Sequence, residues 1–241
     1  MSNGSAQSIR QRLLNLARER GENFDYVLRQ YVIQRLLYRL SQSDYSEQFL
    51  LKGAQLFWLW NEAFHRPTRD VDLLGSGDND VDALVKTFQE VCSIDVEDGL
   101  EFDTSEIQGI EIKEDAMYQG VRITGFTELA RARIPFQIDI GFGDVVTPEP
   151  VVMKMPVFLD MPVPKIKVYP VYTVIAEKFQ AMVYLGLANS RMKDFYDVWF
   201  LASSMDLEGD SLANAIKATF TRRGTPITDD PLFIFSETFA G

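Results

Sequence analysis

Apolar residues recur every three or four positions between Ser8 and about Ser41: Leu13, Leu14, Leu16 and Ala17, then Tyr26, Val27, Tyr31, Val32, Leu36, Leu37 and Leu40. That period predicts helix. Gly21-Glu22-Asn23 interrupts it, so two helices are expected, with Asn23 capping the second. From about Glu47 to Pro170 the period shortens. "FLLKGAQLFWLW" (49–60) reads as an apolar entry, a turn at Gly53 and a buried helix reaching about Phe64. Asp70 to Leu74 reads as a strand and Val81 to Val91 as an amphipathic helix, with Asp78 or Asn79 as its cap. "GVRITGFTEL" and "RIPFQIDIGFG" alternate as the two arms of a hairpin. The Pro-rich stretch 146–170 is expected to cross the surface in extended form. From Tyr172 the helical period returns. Val174, Ile175, Phe179, Met182, Val183 and Leu185 form one stripe, and "RMKDFYDVWFLASS" follows a turn at Asn189-Ser190. The chain closes on "FIFSETFAG" with no obvious final helix, as a truncated chain would. These zones predict an α+β chain: a helical segment over 1–45, a mixed β-sheet core over 46–170 and a helical lobe over 171–241.

Composition narrows the chemistry. The chain has 241 residues, enough for one large domain or two lobes, with one cysteine and one histidine. Cys92 alone forms no internal disulfide, and Cys92 with His65 makes no zinc site of thiolates and imidazoles. A nucleophile–histidine pair would need His65, which sits in a Pro-adjacent loop. No apolar stretch reaches membrane-spanning length and the N-terminus lacks a signal-peptide core, so the expected location is cytoplasmic, without membrane partners. The Asn3-Gly4-Ser5 sequon is then moot. A net charge of −11 argues against wrapping nucleic acid over a broad surface, though not against a local basic cleft. Arg10, Arg12, Arg18, Arg20, Arg29, Arg35 and Arg39 read as a solvated helical face in preference to an RNA contact.

The candidate chemistry is acidic. In a strand, residues two apart share a face, so Asp70 and Asp72 project together, away from Val71 and Leu73. At about 6–7 Å two carboxylates repel by roughly 2–3 kcal/mol at an effective dielectric of 20, and a cation or open water must offset it. In "FQIDIGFG" the apolar face is Phe136, Ile138 and Ile140, so Asp139 projects beside Gln137 on the other side. Three such carboxylates suit magnesium, and could hold two ions that activate an attacking hydroxyl and clamp a leaving phosphate. Spacing alone leaves this open against a set of exposed strand aspartates. "GSGDND" (75–80) is too poor in glycine for a phosphate loop, and "DNDVDALVKTFQE" lacks the glycine of a calcium loop.

Taken in order, "LLKGAQLFWLW…RPTRDVDLL", "FQIDIGFGD" and "VIAEKFQAMVYLGLANSRMKDFYDVWFL" resemble the AbiEii/AbiGii nucleotidyltransferase toxins of the DNA polymerase β-like superfamily, over about residues 8–225. The resemblance implies a nucleotidyltransferase-type sheet core in which Asp70 and Asp72 bind Mg2+ and the nucleoside triphosphate, with Asp139 as the later acidic position. It implies nucleotide binding by Lys52 and Gly53, contact between Lys178 and the nucleotide, and Asp194 as a base for the acceptor hydroxyl. Arg191 and Asp197 remain structural partners. Many members read Lys-Gly-Gly-Thr where this chain has Lys52-Gly53-Ala54-Gln55, and the superfamily's Gly-Ser pair is absent.

The implied activity is transfer of a nucleoside monophosphate from an NTP to an acceptor hydroxyl, with RNA (the tRNA 3′ end) as acceptor and a cognate antitoxin as partner. A small-molecule or protein acceptor, and a catalytically silent nucleotide- or partner-binding module, are the alternatives.

Overall fold

The computed structural model describes residues 5–61, 68–114 and 118–227. Phe64, His65 and Asn3, and the stretch from 228 to the end, lie outside them. The chain forms two compact units, Met1–Gly143 with Val152–Val168 and Asp144–Val151 with Tyr169–Gly241.

The first unit begins with α1 (Ala6–Arg20) and α2 (Phe24–Gln42). Then come β1 (Phe49–Lys52), α3 (Gln55–Asn61), β2 (Val71–Gly75) and α4 (Val81–Cys92). They are followed by β3 (Glu101–Phe102), β4 (Gln108–Glu114), β5 (Tyr118–Leu129) and β6 (Ala132–Phe142). β7 (Val151–Lys154) and β8 (Lys165–Val168) complete one sheet in the order β3-β5-β6-β2-β1-β8-β7, with β4 also pairing β5. The β2–β6 and β1–β8 pairs are parallel, while β1–β2 and β5–β6 are antiparallel, so the sheet is mixed. The second unit holds α5 (Val171–Leu185), α6 (Met192–Ser204) and α7 (Gly209–Arg222).

Period-2 alternation decides which way the sheet faces. Leu51, Val71, Leu73, Val121, Ile123, Ile138, Ile140 and Val168 are all buried. Register pairs Leu51 with Leu73 and Val168, Val71 with Ile138, and Ile123 with Ile138, which makes one continuous apolar face. α2 packs on β6 and β8, and α4 packs on β4 and β5. Residues one step out of phase, Asp72 and Asp139 among them, therefore project from the opposite face.

Several local details differ from the pattern reading. α4 is capped by Asp80, whose carboxylate accepts from Ala83 N at 2.8 Å, whereas Asp78 accepts from Asp80 N and so serves the preceding turn. The stretch 146–170 does run extended in part, but β8 enters the sheet beside β1 with Ile166 and Val168 buried. The alternation that marks a strand is faint in β4, an edge strand whose Ile110 lies 57% exposed among charged residues. α7 is marked only by the short buried stripe of Ala215, Thr219 and Phe220.

The largest correction concerns the arginines. Arg10, Arg18 and Arg20 are exposed, as a solvated face requires, but Arg35 and Arg39 are buried. Both converge on Asp98, itself buried. Arg39 donates to its two oxygens at 2.5 and 3.1 Å and Arg35 to one at 3.1 Å. Their remaining donors reach Pro162 O at 2.7 Å and Ile94 O at 3.2 Å, while Tyr31 Oη donates to Asp98 O at 2.7 Å. Burial pushes the Tyr31 hydroxyl pKa up, with Asp98 adding to the shift. α2 is thereby tied by charge to the loop before β3.

Removing one member of a buried ionic cluster strands the others in low dielectric. Asp98→Ala is expected to cost about 3–5 kcal/mol, read as a lower urea midpoint. An unchanged midpoint would show that water reaches the two guanidinium groups.

Candidate active site

Three strand pairings place four charged residues in one row. Lys52 pairs with Asp72, Asp72 with Asp139, and Asp139 with Arg122, across β1, β2, β6 and β5. Directly paired residues share a face. The row therefore reads cation, carboxylate, carboxylate, cation. Asp70 lies one residue ahead of β2 and completes the acidic set. One oxygen from each of Asp70, Asp72 and Asp139 lies within 4.8 Å of the others.

Each carboxylate is held by named neighbours. Thr68 Oγ1 donates to Asp70 Oδ1 at 2.6 Å, and Gln30 Nε2 on α2 donates to Thr68 O at 2.8 Å. Gln55 on α3 donates in turn to Gln30 Oε1 at 3.2 Å. Gln30 and Gln55 are both buried. Gln55 thus turns inward and, through Gln30, braces the segment that presents Asp70. Asp139 is gripped by both arms of Arg122, each at 2.7 Å, and by Gln137 Nε2 at 3.2 Å to each oxygen. The Asp139 carboxylate, followed by Asp70 and Asp72, raises the Arg122 pKa above its usual value.

Gly53 follows Lys52 and opens the turn into α3. Its φ is +73°, a region costly for side chains with a Cβ. A Cβ there would also stand 1.9 Å from Asp72 Oδ2. The glycine is required twice, by conformation and by the carboxylate that lies flush against it.

Lys178 and Asp194 belong to the second unit. Lys178 Nζ lies 2.8 Å from Asp194 Oδ1 and 2.8 Å from Asp197 Oδ2, and Arg191 Nε lies 2.7 Å from Asp194 Oδ2. Asp194 and Asp197 are fully buried. Asp197 therefore shares Lys178 on equal terms with Asp194. Lys178 thus lies at one Asp194 oxygen and Arg191 at the other. Cys92 offers no nucleophile: it is buried, and burial pushes its thiol up to about 12.

The donor set is all carboxylate oxygen, clustered tightly enough for a hard divalent cation such as magnesium. Gln30, Thr68 and Arg122 do not stand out in the sequence, whereas Gln55 appears there only as a departure from the Lys-Gly-Gly-Thr pattern and Gln137 only as a neighbour of Asp139. Only Thr68 and Gln137 carried a signal, each two residues from an aspartate on the same strand phase. Gly53→Ala should displace Asp72 and weaken Mn2+ binding by roughly 10–100-fold, the range for disturbed neighbours of metal ligands. Calorimetric titration with Mn2+ measures it, and undiminished affinity would show that Asp72 moves aside without consequence.

The sequence matches the family described as "Nucleotidyl transferase AbiEii toxin, Type IV TA system" over residues 35–240. No curated protein matches it. Among solved structures, JHP933 from Helicobacter pylori is similar at 13% identity, covering 80% of this chain and 78% of that one, with a TM-score of 0.49. An antigenic nucleotidyltransferase-like protein from Paracoccidioides brasiliensis is 14% identical, with coverage of 80% and 88% and a TM-score of 0.45. The antibiotic-resistance factor ANT(2'')-Ia is 11% identical, with coverage of 81% and 95% and a TM-score of 0.43. On the family match across most of its length, the chain belongs to the nucleotidyl transferase AbiEii toxins of type IV toxin–antitoxin systems and is a nucleotidyltransferase.

Proposed function

We propose that the protein is a magnesium-dependent, cytoplasmic nucleotidyltransferase that moves a nucleoside monophosphate from an NTP to a hydroxyl of RNA, with tRNA as the acceptor to test first. The observation that carries this reading is the convergence of Asp70, Asp72 and Asp139 within 4.8 Å on one face of the sheet. Asp70 and Asp72 would hold the ion that carries the triphosphate, with Asp139 as the third ligand. Bound there, the metal would neutralise charge on the phosphates and lower the barrier to attack.

The chain's own residues do the rest. Lys52, in register with Asp72, offers an ammonium to the phosphate oxygens, and the Gly53 turn lets backbone approach them closely. Thr68 and Gln30 fix Asp70 so that the ligand geometry exists before substrate arrives. The acceptor oxygen attacks the α-phosphorus, a new P–O bond forms, the α–β bridge breaks and pyrophosphate leaves. The hydroxyl proton passes to a carboxylate or to water. In the second unit Lys178 is the proposed nucleotide contact. Asp194, engaged by Lys178 and Arg191, supports a positioning role more readily than that of a free base. A cognate antitoxin is the partner that the family implies.

Incubation with Mg2+, each α-labelled NTP and total tRNA tests the reading, with Asp70→Ala alongside. Label should pass to RNA and fall at least about 100-fold in the variant, the scale of losing a principal electrostatic contributor. Equal labelling by both proteins would overturn the metal assignment. Label appearing only on a small molecule or a protein would keep the chemistry and replace the acceptor.

A further inference from the structure

Asp139 has a neighbour that the proposed chemistry does not use. Arg122 lies directly across the β5–β6 ladder and grips both Asp139 oxygens at 2.7 Å. A bidentate guanidinium–carboxylate pair is among the strongest side-chain contacts, and it takes up one lone pair on each oxygen and offsets the charge that would attract a metal ion. The Asp139 side chain is only 12% exposed while that of Arg122 is 36% exposed, so the arginine is the partner with room to move.

We propose that Arg122 is the resident counter-ion of the carboxylate trio: it holds Asp139 in the metal-free protein, competes with the divalent ion for that carboxylate, and so sets how tightly the trio binds metal. This rests on the reading of the trio as a metal site. Electrostatics fixes the sign. Three carboxylates within 4.8 Å repel one another, and the guanidinium cancels one of those charges. An arriving ion must displace the fork or share Asp139 with it, and either lowers its affinity. Removal of Arg122 deepens the negative field and leaves the two Asp139 oxygens to the longer contacts from Gln137. Arg122 is thus a positioning residue acting through Asp139. Once released it presents a planar fork of donors on the same face, suited to phosphate oxygens.

The test is Mn2+ binding to the full chain without nucleotide, followed by the electron paramagnetic resonance of free Mn2+. Arg122→Gln should bind Mn2+ tighter by about fivefold or more, the size of effect one nearby charge exerts at a half-exposed site. Arg122→Lys, which keeps the charge but loses the fork, should fall between it and the wild type. Arg122→Gln combined with Asp139→Asn should lose the gain, because the coupling runs through that carboxylate. Unchanged or weaker binding by Arg122→Gln, in a protein whose melting shows it folded, would reduce Arg122 to a strand-pairing contact. Should Arg122→Gln not fold, Arg122→Lys decides alone by the same sign. Mn2+ binding that is absent from the wild type, or indifferent to Asp70→Asn, would instead sink the metal reading and this proposal with it.

Discussion

Register is the constraint on which the site depends. The row from Lys52 through Asp72 and Asp139 to Arg122 exists because three separate strand pairings agree to the residue. One of these is parallel and two are antiparallel, so no single hairpin turn fixes them together. What fixes them is the other face. A slip of one position would carry Val71, Ile138 and Ile140 out of the core and their charged neighbours into it. The apolar alternation that makes the sheet stable is therefore the device that aligns the charges. Fold and chemistry are two readings of one periodicity.

The arrangement also answers an electrostatic problem. Asp72 and Asp139 are immediate cross-strand neighbours, a pairing that is unfavourable in isolation. The protein flanks them with cations at either end of the row and gives Asp70 a hydroxyl donor from Thr68. The flanking cations and the hydroxyl donor thus offset part of the repulsion within the acidic cluster.

What the sequence disclosed follows the range of each interaction. Asp70, Asp72 and Asp139 were legible because each sits out of phase in an apolar alternation, a signal contained within five residues. Gly53 was legible as a turn, but its contact with Asp72 was not, because that depends on β1 pairing with β2. Gln30 looked like an ordinary helix residue and Gln55 only like a departure from the Lys-Gly-Gly-Thr pattern, since the groups they brace arrive from elsewhere in the chain. Arg35 and Arg39, four apart on α2, read as a solvated stripe because their partner lies about sixty residues downstream. Arg122 carried no signal in its own strand: it needed Asp139 opposite.

That distance between the α2 arginines and Asp98 has a consequence for how the molecule is made. Arg35 and Asp98 are 63 positions apart, so during synthesis the helix emerges from the ribosome well before its counter-charge does. Until then, docking α2 would bury two positive charges without a partner, which the low dielectric of a core forbids. The charge balance of α2 is thus completed by a residue encoded beyond β1, α3, β2 and α4, so the helix and the loop before β3 belong to one energetic unit although the chain visits most of the sheet's first strands between them.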